Sequence, residues 1–578
     1  MSSPVRRSRV LALLMAVVLA VSGLAAPVVL GAKPLTTTVR GIDVDATTIP
    51  ELQAHMDAGR LTSAQLTRFY LQRIRRLNPE LNAVIRISPK AIADAQAADR
   101  ARRRGVELPL LGIPVIVKDN INTTGMATTA GSYALKGSRP SDAFIVERIK
   151  AAGGIIIGKA NLSEWANFRS APSSSGWSGI GGQTNMAHVL DRNPCGSSSG
   201  SGVVAAADLA TVAVGTETDG SIVCPAGANG IVGIKPTVGL LSREGIIPIT
   251  ADQDTAGPMT RNVTDAAVLL GVMTGVDPAD PATAAQAGNA FSDYTQFLDD
   301  EALDGARIGV WRTGTYNELT AAIVEPILDD AVAALAAEGA TIVDPIELDL
   351  SAAGTHELNA LLCEFKTDIA SYLQTYTAKR FPKTLADLIE FNNEHPRLES
   401  GAPESDWNQL IFDFAEATGG RDDACADIRA ALTPPTQAEI DGVMAELDLD
   451  AIVALTNGPA WETNPVLGDL DGDFSRFVGS STPAAVAGYG SITVPAGYVG
   501  PLPIGVSFIG GAWSEPELIG IAYDFEQATQ VREPPQFLES TDVPVSVSAA
   551  GPNRRSVAPE RRGVGPVGGG RWSIVPLR

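Results

Sequence analysis

Short apolar runs alternate with amphipathic stretches along most of the chain. Runs such as Pro114–Val117 and Ile155–Gly158 have the length and continuous apolar character of buried strands. Between such runs, apolar residues recur three and four positions apart, as at Leu66, Phe69 and Tyr70, which is the spacing of one helix face. This alternation predicts a layered α/β core.

The same pattern predicts the order of the remaining elements. The predicted helices are Ile49–Leu77 (as a pair), Ala91–Arg104, Ala143–Ala152, Val203–Leu209, Asp265–Met273, Val324–Ala337 and Glu515–Thr529. The further predicted strands are Thr211–Gly215, Arg307–Trp311, Thr341–Val343, Ala451–Leu455, Ser491–Pro495 and Gly505–Ile509. From 357 to about 447 helical spacing recurs with Pro and Gly between the repeats, which predicts a mostly helical region.

The first 32 residues differ in composition from the rest. A basic start is followed by the apolar stretch Val10–Val21 and then by small residues, which is the three-part pattern of a secretory signal peptide. A membrane anchor is the alternative, because no charged residue occurs between Val10 and Ala32, but Pro27 and the short apolar stretch favour cleavage. The Arg6-Arg7 pair leaves both the Sec and the twin-arginine routes open. We therefore expect a secreted or cell-envelope protein without stable membrane association after cleavage.

Charge and composition also separate the ends from the body. The chain of 578 residues carries a formal −22, of which 1–32 contribute +3 and 541–578 contribute +4, leaving −29 for the body. So acidic a body repels phosphate backbones, so no nucleic-acid partner is expected. Gly, Pro, Ser, Val and Arg dominate 541–578, which predicts a disordered tail. Apolar residues make up 45%, enough for a large core, so one domain is predicted over 33–540, with its motifs within 112–260.

Two segments rich in glycine and serine carry the candidate chemistry. Pro194–Gly202 reads P-C-G-S-S-S-G-S-G, and Gly215–Pro225 reads G-T-E-T-D-G-S-I-V-C-P. Small residues leave backbone N–H groups uncovered beside serine hydroxyls, which suits attack on a carbonyl and stabilisation of the resulting oxyanion. Upstream, Lys118 follows the apolar run I-P-V-I-V, where burial would favour a neutral amine that can accept a proton.

These motifs resemble the amidase signature family of serine hydrolases. A lysine after a short hydrophobic strand, a Gly/Ser-rich loop and a serine within G-S-I-x-x-P occur in the family's order, and the similarity continues through Gly233–Gly239 and Asp254–Pro258. It covers roughly residues 46–535, and Ser163–Arg169 together with C-P-A after the serine is most similar to peptide amidases. The resemblance implies a large mixed central β-sheet covered by helices on both faces, with a mostly helical peripheral region.

The resemblance also implies catalytic roles. Ser221 would be the nucleophile, Ser197 the bridging serine after a cis peptide bond, and Lys118 the base. Neutral Lys118 would take a proton through Ser197 and later return it to the leaving amine. Asp119 and Asn120 are interpreted as structural partners of the lysine loop rather than as catalysts.

Backbone amides would stabilise the oxyanion. The amides implied are those of Thr218, Asp219, Gly220 and Ser221. Gly220 allows the chain to approach the reacting carbonyl without a side chain between them. Asp219 stands where many relatives have a second glycine, which matches the peptide amidase type. The implied substrate-binding residues are Asn167, Gly196 and Ser198, with Gly181–Asn185 beside them.

The predicted function is hydrolysis of a linear amide through an acyl-enzyme, which releases ammonia or an amine and then the acid. Small-molecule amides and C-terminally amidated peptides both fit, no metal or organic cofactor is needed, and a monomer or homodimer is expected. Two alternatives stay open. The amidase subunit of a tRNA-dependent amidotransferase would need partner subunits, and the export signal and acidic body count against it. A non-catalytic secreted binding protein is disfavoured by intact Lys118, Ser197 and Ser221.

Other hydrolytic chemistries fit the sequence less well. Gly196–Gly200 satisfies G-x-S-x-G, which would make Ser198 an α/β-hydrolase nucleophile, but no strand directly precedes the turn. Only four histidines occur, and His356 and His395 lie in the helical region without a triad context. The H-E-x-x-H zinc motif and the G-x-x-x-x-G-K-[ST] phosphate loop are absent from the sequence.

Four cysteines are too few for a disulfide framework in a chain of this length. Cys195 and Cys224 each lie within three residues of a candidate serine and are predicted to be small buried fillers. Cys363 and Cys425 fall in helical segments, and export would allow them to pair.

Overall fold

Eleven strands among the described residues form one mixed sheet at the centre of the computed structural model. The described residues are 36–543 without 171, 313–317, 400–407, 467 and 471–479, so the predicted signal peptide lies outside them. The strands are β1 Val84–Ile87, β2 Pro114–Lys118, β3 Ile155–Ala160, β4 Val212–Glu217, β5 Val232–Lys235, β6 Thr255–Thr260, β7 Arg307–Trp311, β8 Thr341–Ile346, β9 Ala451–Leu455, β10 Ser491–Val499 and β11 Leu502–Ile509. Two short ribbons pair Thr38–Val39 with Ile42–Asp43 and Trp177–Ser178 with Gly182–Gln183.

The strand order places the ends of β2 and β4 side by side. Across the sheet the order is β8-β7-β9-β11-β10-β5-β6-β4-β2-β3-β1. β2 runs parallel to β3 and β4, β7 runs parallel to β8 and β9, and the other neighbours are antiparallel. Val117 of β2 pairs with Val214 of β4, so Lys118 and Thr216 follow at the same edge of the sheet. The candidate chemistry therefore gathers where these two parallel strands end.

Helices cover both faces of the sheet, as the resemblance to the amidase signature family implied. The described part contains fifteen α-helices: α1 Ile49–Asp57, α2 Ser63–Leu81, α3 Ala91–Arg102, α4 Phe144–Ala151, α5 Ser199–Ala206, α6 Val223–Ala228, α7 Val263–Met273, α8 Glu318–Ala337, α9 Ser351–Tyr376, α10 Leu385–Glu394, α11 Pro396–Glu399, α12 Leu410–Glu416, α13 Asp423–Leu447, α14 Thr482–Ala487 and α15 Glu515–Thr529. Helix α5 packs on β2, β3, β4 and β6, whereas α6 packs on β5, β10 and β11. None of the described helices combines the length and apolar character that crossing a membrane needs.

Helix α2 shows how local sequence sets an element's bounds. The Thr62 hydroxyl accepts a hydrogen bond from the Gln65 amide, and the Gln65 side chain accepts one from the Thr62 amide, which is a capping box. The predicted helix end at Leu77 is four residues early, because Pro79 fits within the last turn. The helix ends at Leu81, and Asn82 follows in the left-handed conformation with φ of 48°.

Three strands, β1, β5 and β6, were absent from the predicted set. Glycines interrupt the apolar pattern of β5 and β6, and the structure shows why glycine occupies these positions. A Cβ on Gly233 would lie 2.7 Å from Ala226 Cβ of helix α6. A Cβ on Gly257 would lie 1.9 Å from the carbonyl oxygen of Ile234 in the neighbouring strand. Close neighbours therefore leave no room for side chains at these positions, and the apolar pattern that would identify a strand is interrupted.

The region from 357 to 447 is mostly helical, as predicted, and its first helix begins slightly earlier. Its buried side chains form a separate apolar cluster that includes Phe365 and Phe412. The same cluster includes Trp165 and Phe168, whose rings contact Phe412 and Phe365 edge to face. The helical region is therefore anchored on the segment between β3 and α5.

Both cysteine pairs within the described residues form disulfides. Cys363–Cys425 joins α9 to α13, as the sequence allowed. Cys195 is bonded to Cys224, so the prediction of two separate fillers is wrong. The reason is tertiary: the loop before α5 lies against α6, which brings the two Cα atoms to 6.0 Å across 29 residues of sequence.

The described body extends to Val543, three residues into the predicted tail. Arg192 Nη2 donates to the carbonyl of Thr541 over 2.9 Å. Val543 packs against a small apolar cluster that includes Val189 and Leu502. The rest of the predicted tail, from 544 onward, lies outside the described residues.

Candidate active site

Lys118, Ser197 and Ser221 form one continuous set of contacts beside the ends of β2 and β4. Lys118 Nζ lies 2.8 Å from Ser197 Oγ, and Ser197 Oγ lies 3.0 Å from Ser221 Oγ. Lys118 is fully buried, whereas 8% of Ser221 is exposed. The contacts therefore lead from the fully buried amine to the hydroxyl of Ser221, which retains slight exposure.

Three different elements bring these side chains together. Lys118 is the last residue of β2, Ser197 lies just before α5, and Ser221 lies in the turn between β4 and α6. The amide of Ser198 donates to the carbonyl of Ser221 over 3.1 Å, which ties the two serine loops together. The Gly196–Ser197 peptide bond is cis, as the resemblance implied.

Close packing requires glycine at position 196, and its predicted contact with substrate stays a prediction. A Cβ at this position would lie 2.3 Å from Ser163 Oγ. The Ser163 amide in turn donates to the Ser197 carbonyl over 3.0 Å. The segment after β3 therefore supports the loop that carries Ser197.

Burial determines the charge of Lys118. Its Nζ also contacts the carbonyl oxygen of Thr216 at 3.1 Å and the Thr216 hydroxyl at 2.9 Å, and no described carboxylate bonds to it. Burial lowers the pKa of Lys118 from 10.5 to about 7, although the negative charges of Asp254 and Glu217 oppose the shift. Near neutral pH the amine therefore populates both its charged and its neutral form.

The two forms reverse the direction of hydrogen bonding along the contacts. A charged Lys118 donates to Ser197, which can donate to Ser221. A neutral Lys118 offers a lone pair, so Ser221 can donate to Ser197 and Ser197 to Lys118. The arrangement can therefore carry a proton either away from Ser221 or back toward it.

Backbone amides beside Ser221 are free to bind an oxyanion. Within the described residues the amides of Thr218, Asp219, Gly220 and Ser221 donate no hydrogen bond. Gly220 has φ of 75°, and a Cβ there would lie 3.0 Å from Ser481 Oγ, so the turn requires glycine. Four adjacent N–H groups are thus without a partner among the described residues, and such groups can donate to an oxyanion.

Buried carboxylates hold this turn from three sides. Glu217 accepts from the amides of Ile222 and Val223 at 2.6 and 2.9 Å, at the start of α6. Asp219 accepts from Ser481 Oγ and, over 2.8 Å, from Thr482 Oγ1. The Asp219 side chain therefore ties the turn to the start of α14.

Asp254 connects the turn to the loop before β6. It accepts from Thr218 Oγ1 at 2.5 Å and from the amides of Ile249 and Thr250 at 2.8 and 3.1 Å. Burial raises the pKa of Asp254 to about 7, against the effect of these hydrogen bonds. The carboxyl group fixes Thr218 relative to the loop that lines the neighbouring cavity.

The predicted substrate-binding residues have different positions in the structure. Ser198 is fully buried, and its hydroxyl accepts from the Thr216 amide at 3.1 Å and donates to the Thr216 carbonyl at 3.0 Å. Ser198 therefore braces β4 and has no hydroxyl free for a substrate. Asn167 accepts from Ser173 Oγ at 2.9 Å and has φ of 69°, and no hydrogen bond among the described residues joins it to Lys118, Ser197 or Ser221.

The segment Gly181–Asn185 is tied to α2 and to the residue after β3. Asn161 Nδ2 donates to the Gly182 carbonyl over 3.0 Å, and Asn185 Nδ2 donates to the Glu80 carbonyl over 2.7 Å. None of the hydrogen bonds of this segment within the described residues reaches the three candidate catalytic side chains. Its predicted place in the amide pocket stays a prediction.

A cavity of about 300 Å³ opens beside the ends of β2 and β4. Asn120, Thr216 and Thr218 border it on the side of the candidate catalytic residues, and Tyr372 and Tyr376 of α9 border it on the side of the helical region. Sequence reasoning missed both tyrosines, because they lie more than 150 positions from Ser221 and only the docking of α9 brings them close. Their spacing of four residues on one helix face is the signal that marks them as neighbours.

The Cys195–Cys224 disulfide joins the two serine loops covalently. Cys195 lies two residues before Ser197, and Cys224 lies three residues after Ser221. Together with the bond between the Ser198 amide and the Ser221 carbonyl, the disulfide fixes the spacing of the two hydroxyls. Proximity of each cysteine to a serine of the same site is the signal that predicts the pairing.

Fold and site together define an enzyme of the α/β class that hydrolyses amide C–N bonds, and comparison with known proteins gives its family. The amidase family model matches residues 65–519, so the chain belongs to the amidase signature family. A probable amidase of Arabidopsis thaliana is 40% identical over 509 residues, which cover 86% of this chain and 92% of that protein. A glutamyl-tRNA(Gln) amidotransferase subunit of Acinetobacter baumannii is 33% identical, covering 84% and 97% of the two chains.

Solved structures of peptide amidases are also similar. The native peptide amidase from Stenotrophomonas maltophilia is 48% identical, with a TM-score of 0.78, and the match covers 85% of this chain and 99% of that one. The peptide amidase PAM in complex with the competitive inhibitor chymostatin is 47% identical over the same shares, with a TM-score of 0.79. A glutamyl-tRNA(Gln) amidotransferase subunit from Thermotoga maritima is 24% identical with a TM-score of 0.60, which shows likeness of fold alone.

Proposed function

We propose that this amidase cleaves linear carboxylic amides through Ser221, Ser197 and Lys118, with an acyl-enzyme on Ser221. The observation that supports this most strongly is the unbroken path of contacts, 2.8 and 3.0 Å long, from the Lys118 amine through Ser197 to Ser221. The path ends beside four unpaired backbone amides, so a nucleophile, a base and oxyanion donors stand together.

The proposed reaction uses each group twice. Ser221 passes its proton to Ser197, the Ser197 proton moves to Lys118, and the Ser221 oxygen adds to the carbonyl carbon. The amides of the turn donate to the resulting oxyanion. When the C–N bond breaks, the proton moves from Lys118 through the Ser197 hydroxyl to the leaving nitrogen, giving ammonia and the acyl-enzyme. Water then adds to the acyl carbon and gives its proton through Ser197 to Lys118. The proton returns through Ser197 to the Ser221 oxygen as the acid leaves, which restores Ser221.

C-terminal peptide amides are the proposed substrate class. Support comes from the similarity to peptide amidases at 47% and 48% identity over 99% of those chains. The cavity of about 300 Å³, with two tyrosines on its wall, has room for an amino-acid side chain beside the proposed catalytic groups. Simple aliphatic and aryl amides are the alternative within the same reaction.

Ammonia release from a peptide amide by the purified chain tests the proposal. Variants Ser221→Ala and Ser197→Ala should lose turnover, whereas the exposed Ser292→Ala should match the wild type. A fluorophosphonate probe should label the wild type at Ser221 and leave Ser221→Ala unlabelled. Turnover that survives in Ser221→Ala would contradict the proposed nucleophile.

The same experiment separates the two alternatives. An amidotransferase subunit, which the 33% identity to such a subunit keeps as a candidate, would release ammonia only with its partner subunits. A binding protein without catalysis would neither release ammonia nor react with the probe. Turnover by the isolated chain, together with labelling of Ser221, would exclude both.

We further propose that the protein is exported after removal of a signal peptide within residues 1–32. The basic and apolar pattern of these residues supports this, and so do the two disulfides of the described body, because disulfides persist in oxidising compartments. Expression of the full chain should give mature protein outside the cytoplasm, with a new N-terminus near Ala32. Retention of the intact N-terminus inside the cell would contradict export.

A further inference from the structure

Thr216 contacts the Lys118 amine with two different oxygen atoms. Its carbonyl oxygen lies 3.1 Å and its hydroxyl oxygen 2.9 Å from Nζ, while Ser197 Oγ lies 2.8 Å away. These are the hydrogen-bonding contacts of the amine within the described residues, and Lys118 is fully buried. The orientation of the amine is therefore decided by these three oxygens.

A neutral amine has two N–H groups and one lone pair to distribute among them. The Thr216 carbonyl can only accept, so it takes one N–H. If the Thr216 hydroxyl takes the second N–H, the lone pair is left facing Ser197, where it can receive a proton. If Ser197 accepts the second N–H group instead, the lone pair faces the Thr216 hydroxyl, which makes no contact that leads to Ser221.

Asn120 holds the hydroxyl that makes this choice. Its Nδ2 lies 2.9 Å from Thr216 Oγ1, and 2% of Asn120 is exposed. The Thr216 backbone is held as well, because Ser198 bonds to both its amide and its carbonyl. Both oxygens of Thr216 are therefore fixed in place around the amine.

We propose that Thr216, held by Asn120, is a positioning residue that aims the lone pair of neutral Lys118 at Ser197. The inference rests on the proposed function. In the charged amine, the same two oxygens of Thr216 accept two of the three N–H groups. The third N–H faces Ser197, so its proton is the one transferred. Proton transfer is thereby confined to the direction that leads to Ser221.

Thr216→Val removes the hydroxyl and keeps the branched shape that suits a strand. We expect kcat for a peptide amide to fall by about 10- to 100-fold with KM nearly unchanged, less than the roughly 10²- to 10⁴-fold contribution of a general base itself, because the base remains in place. Loss of an acceptor for the charged amine should also move the acid limb of the pH–kcat profile to lower pH. Thr216→Ser restores the hydroxyl and should recover most of the rate. A purely structural role would leave the acid limb in place.

Thr211→Val is the matched control, because it removes a buried hydroxyl directly before the same strand. Thr211 Oγ1 bonds to Tyr70 OH at 3.3 Å, away from Lys118. The control should keep the wild-type kcat and acid limb. If Thr216→Val also keeps both, while Lys118→Met and Ser221→Ala lose turnover, the positioning proposal is wrong and the proposed function stands. Turnover in Lys118→Met would instead overturn the proposed function.

A double-mutant cycle tests the part assigned to Asn120. Asn120→Leu should lower kcat several-fold, and the double variant with Thr216→Val should be no slower than Thr216→Val alone, since Asn120 acts through that hydroxyl. Losses that multiply would overturn this part of the proposal. If Thr216→Val yields no folded protein, Asn120→Leu decides, and an unchanged kcat would contradict the proposal.

Discussion

Replacing Lys118 with Met should abolish amide turnover without destabilising the fold. Methionine fills similar space without a charge, and the oxygens around the lost amine keep other partners. Ser198 Oγ still donates to the Thr216 carbonyl at 3.0 Å, and Asn120 Nδ2 still donates to the Thr216 hydroxyl at 2.9 Å. Ser197 keeps its contact with Ser221 at 3.0 Å. No buried oxygen is therefore left without a hydrogen bond.

The pKa of Lys118 gives the magnitude of the effect on stability. Its fall from 10.5 to about 7 corresponds to roughly 5 kcal/mol at 1.36 kcal/mol per pKa unit. At low pH, where the amine is charged, its burial lowers the free energy of unfolding by this amount. Because the folded pKa is depressed, wild-type stability is full above pH 10.5 and declines as pH falls toward 7. The variant lacks this decline. The free energy of unfolding of the Lys118→Met variant, taken relative to that of the wild type, should therefore fall by about 2 kcal/mol from pH 7 to pH 9.

Urea unfolding at both pH values and ammonia release from a peptide amide form the assay. Turnover should fall by at least about 10² to 10⁴, the usual contribution of a general base. Lys150→Met, which removes an exposed lysine paired with Asp142, is the matched control and should change neither quantity appreciably. Turnover within tenfold of the wild type would refute Lys118 as the base. A difference in free energy of unfolding between Lys118→Met and the wild type that is the same at pH 7 and pH 9 would refute the lowered pKa of Lys118.

Four other outcomes follow from the same geometry. Amide kcat should fall about tenfold per pH unit below about 7, since only the neutral amine accepts a proton, and a plateau down to pH 5 would contradict this. Removing both Cys195 and Cys224 should cost about 3–4 kcal/mol for their separation of 29 residues and should lower kcat. Removing Cys363 and Cys425 should cost about 4 kcal/mol and spare kcat; equal kcat losses would refute a special role for the first pair. Gly220→Ala should lower kcat and cost about 1–2 kcal/mol, because φ is 75°; wild-type kcat would contradict the oxyanion role.

Gly442→Ala is the control for the glycine substitution. Gly442 lies within α13 in open space, with no atom within 4 Å of an added Cβ. Alanine there should raise the free energy of unfolding by roughly 0.5–1 kcal/mol and leave kcat unchanged. The contrast isolates the strained turn beside Ser221 from a general effect of alanine.

Much of the fold could be predicted from the sequence, because the local pattern of apolar and polar residues indicates most of the helices and strands. Strand β9, helix α15 and the early helices match their predicted bounds within a few residues. The contact of Lys118 with the Ser197 and Ser221 loops was expected only from the resemblance to the amidase signature family. The structure gives the physical reason: Lys118 ends β2, Ser221 follows β4, and these neighbouring parallel strands end at the same edge of the sheet.

What the sequence did not reveal depends on tertiary packing. Strands β5 and β6 carry glycines where neighbouring backbone and α6 approach, so no apolar pattern marks them. The Cys195–Cys224 bond requires two loops to meet, and the hydroxyl of Ser198 is taken up by Thr216 rather than left for a substrate. Tyr372 reaches the cavity only because the helical region docks on the core.

The most direct test of the proposed mechanism is a titration of the Lys118 amine itself. Protein labelled with carbon-13 at lysine Cε, compared with the Lys118→Met variant to assign the signal, reports the charge of this amine by NMR. Because burial also lowers the pKa of Lys159 and Lys235 to about 8, assignment by the variant is essential. We predict a midpoint near pH 7 for Lys118. An amine that stays charged through pH 9 would contradict the mechanism.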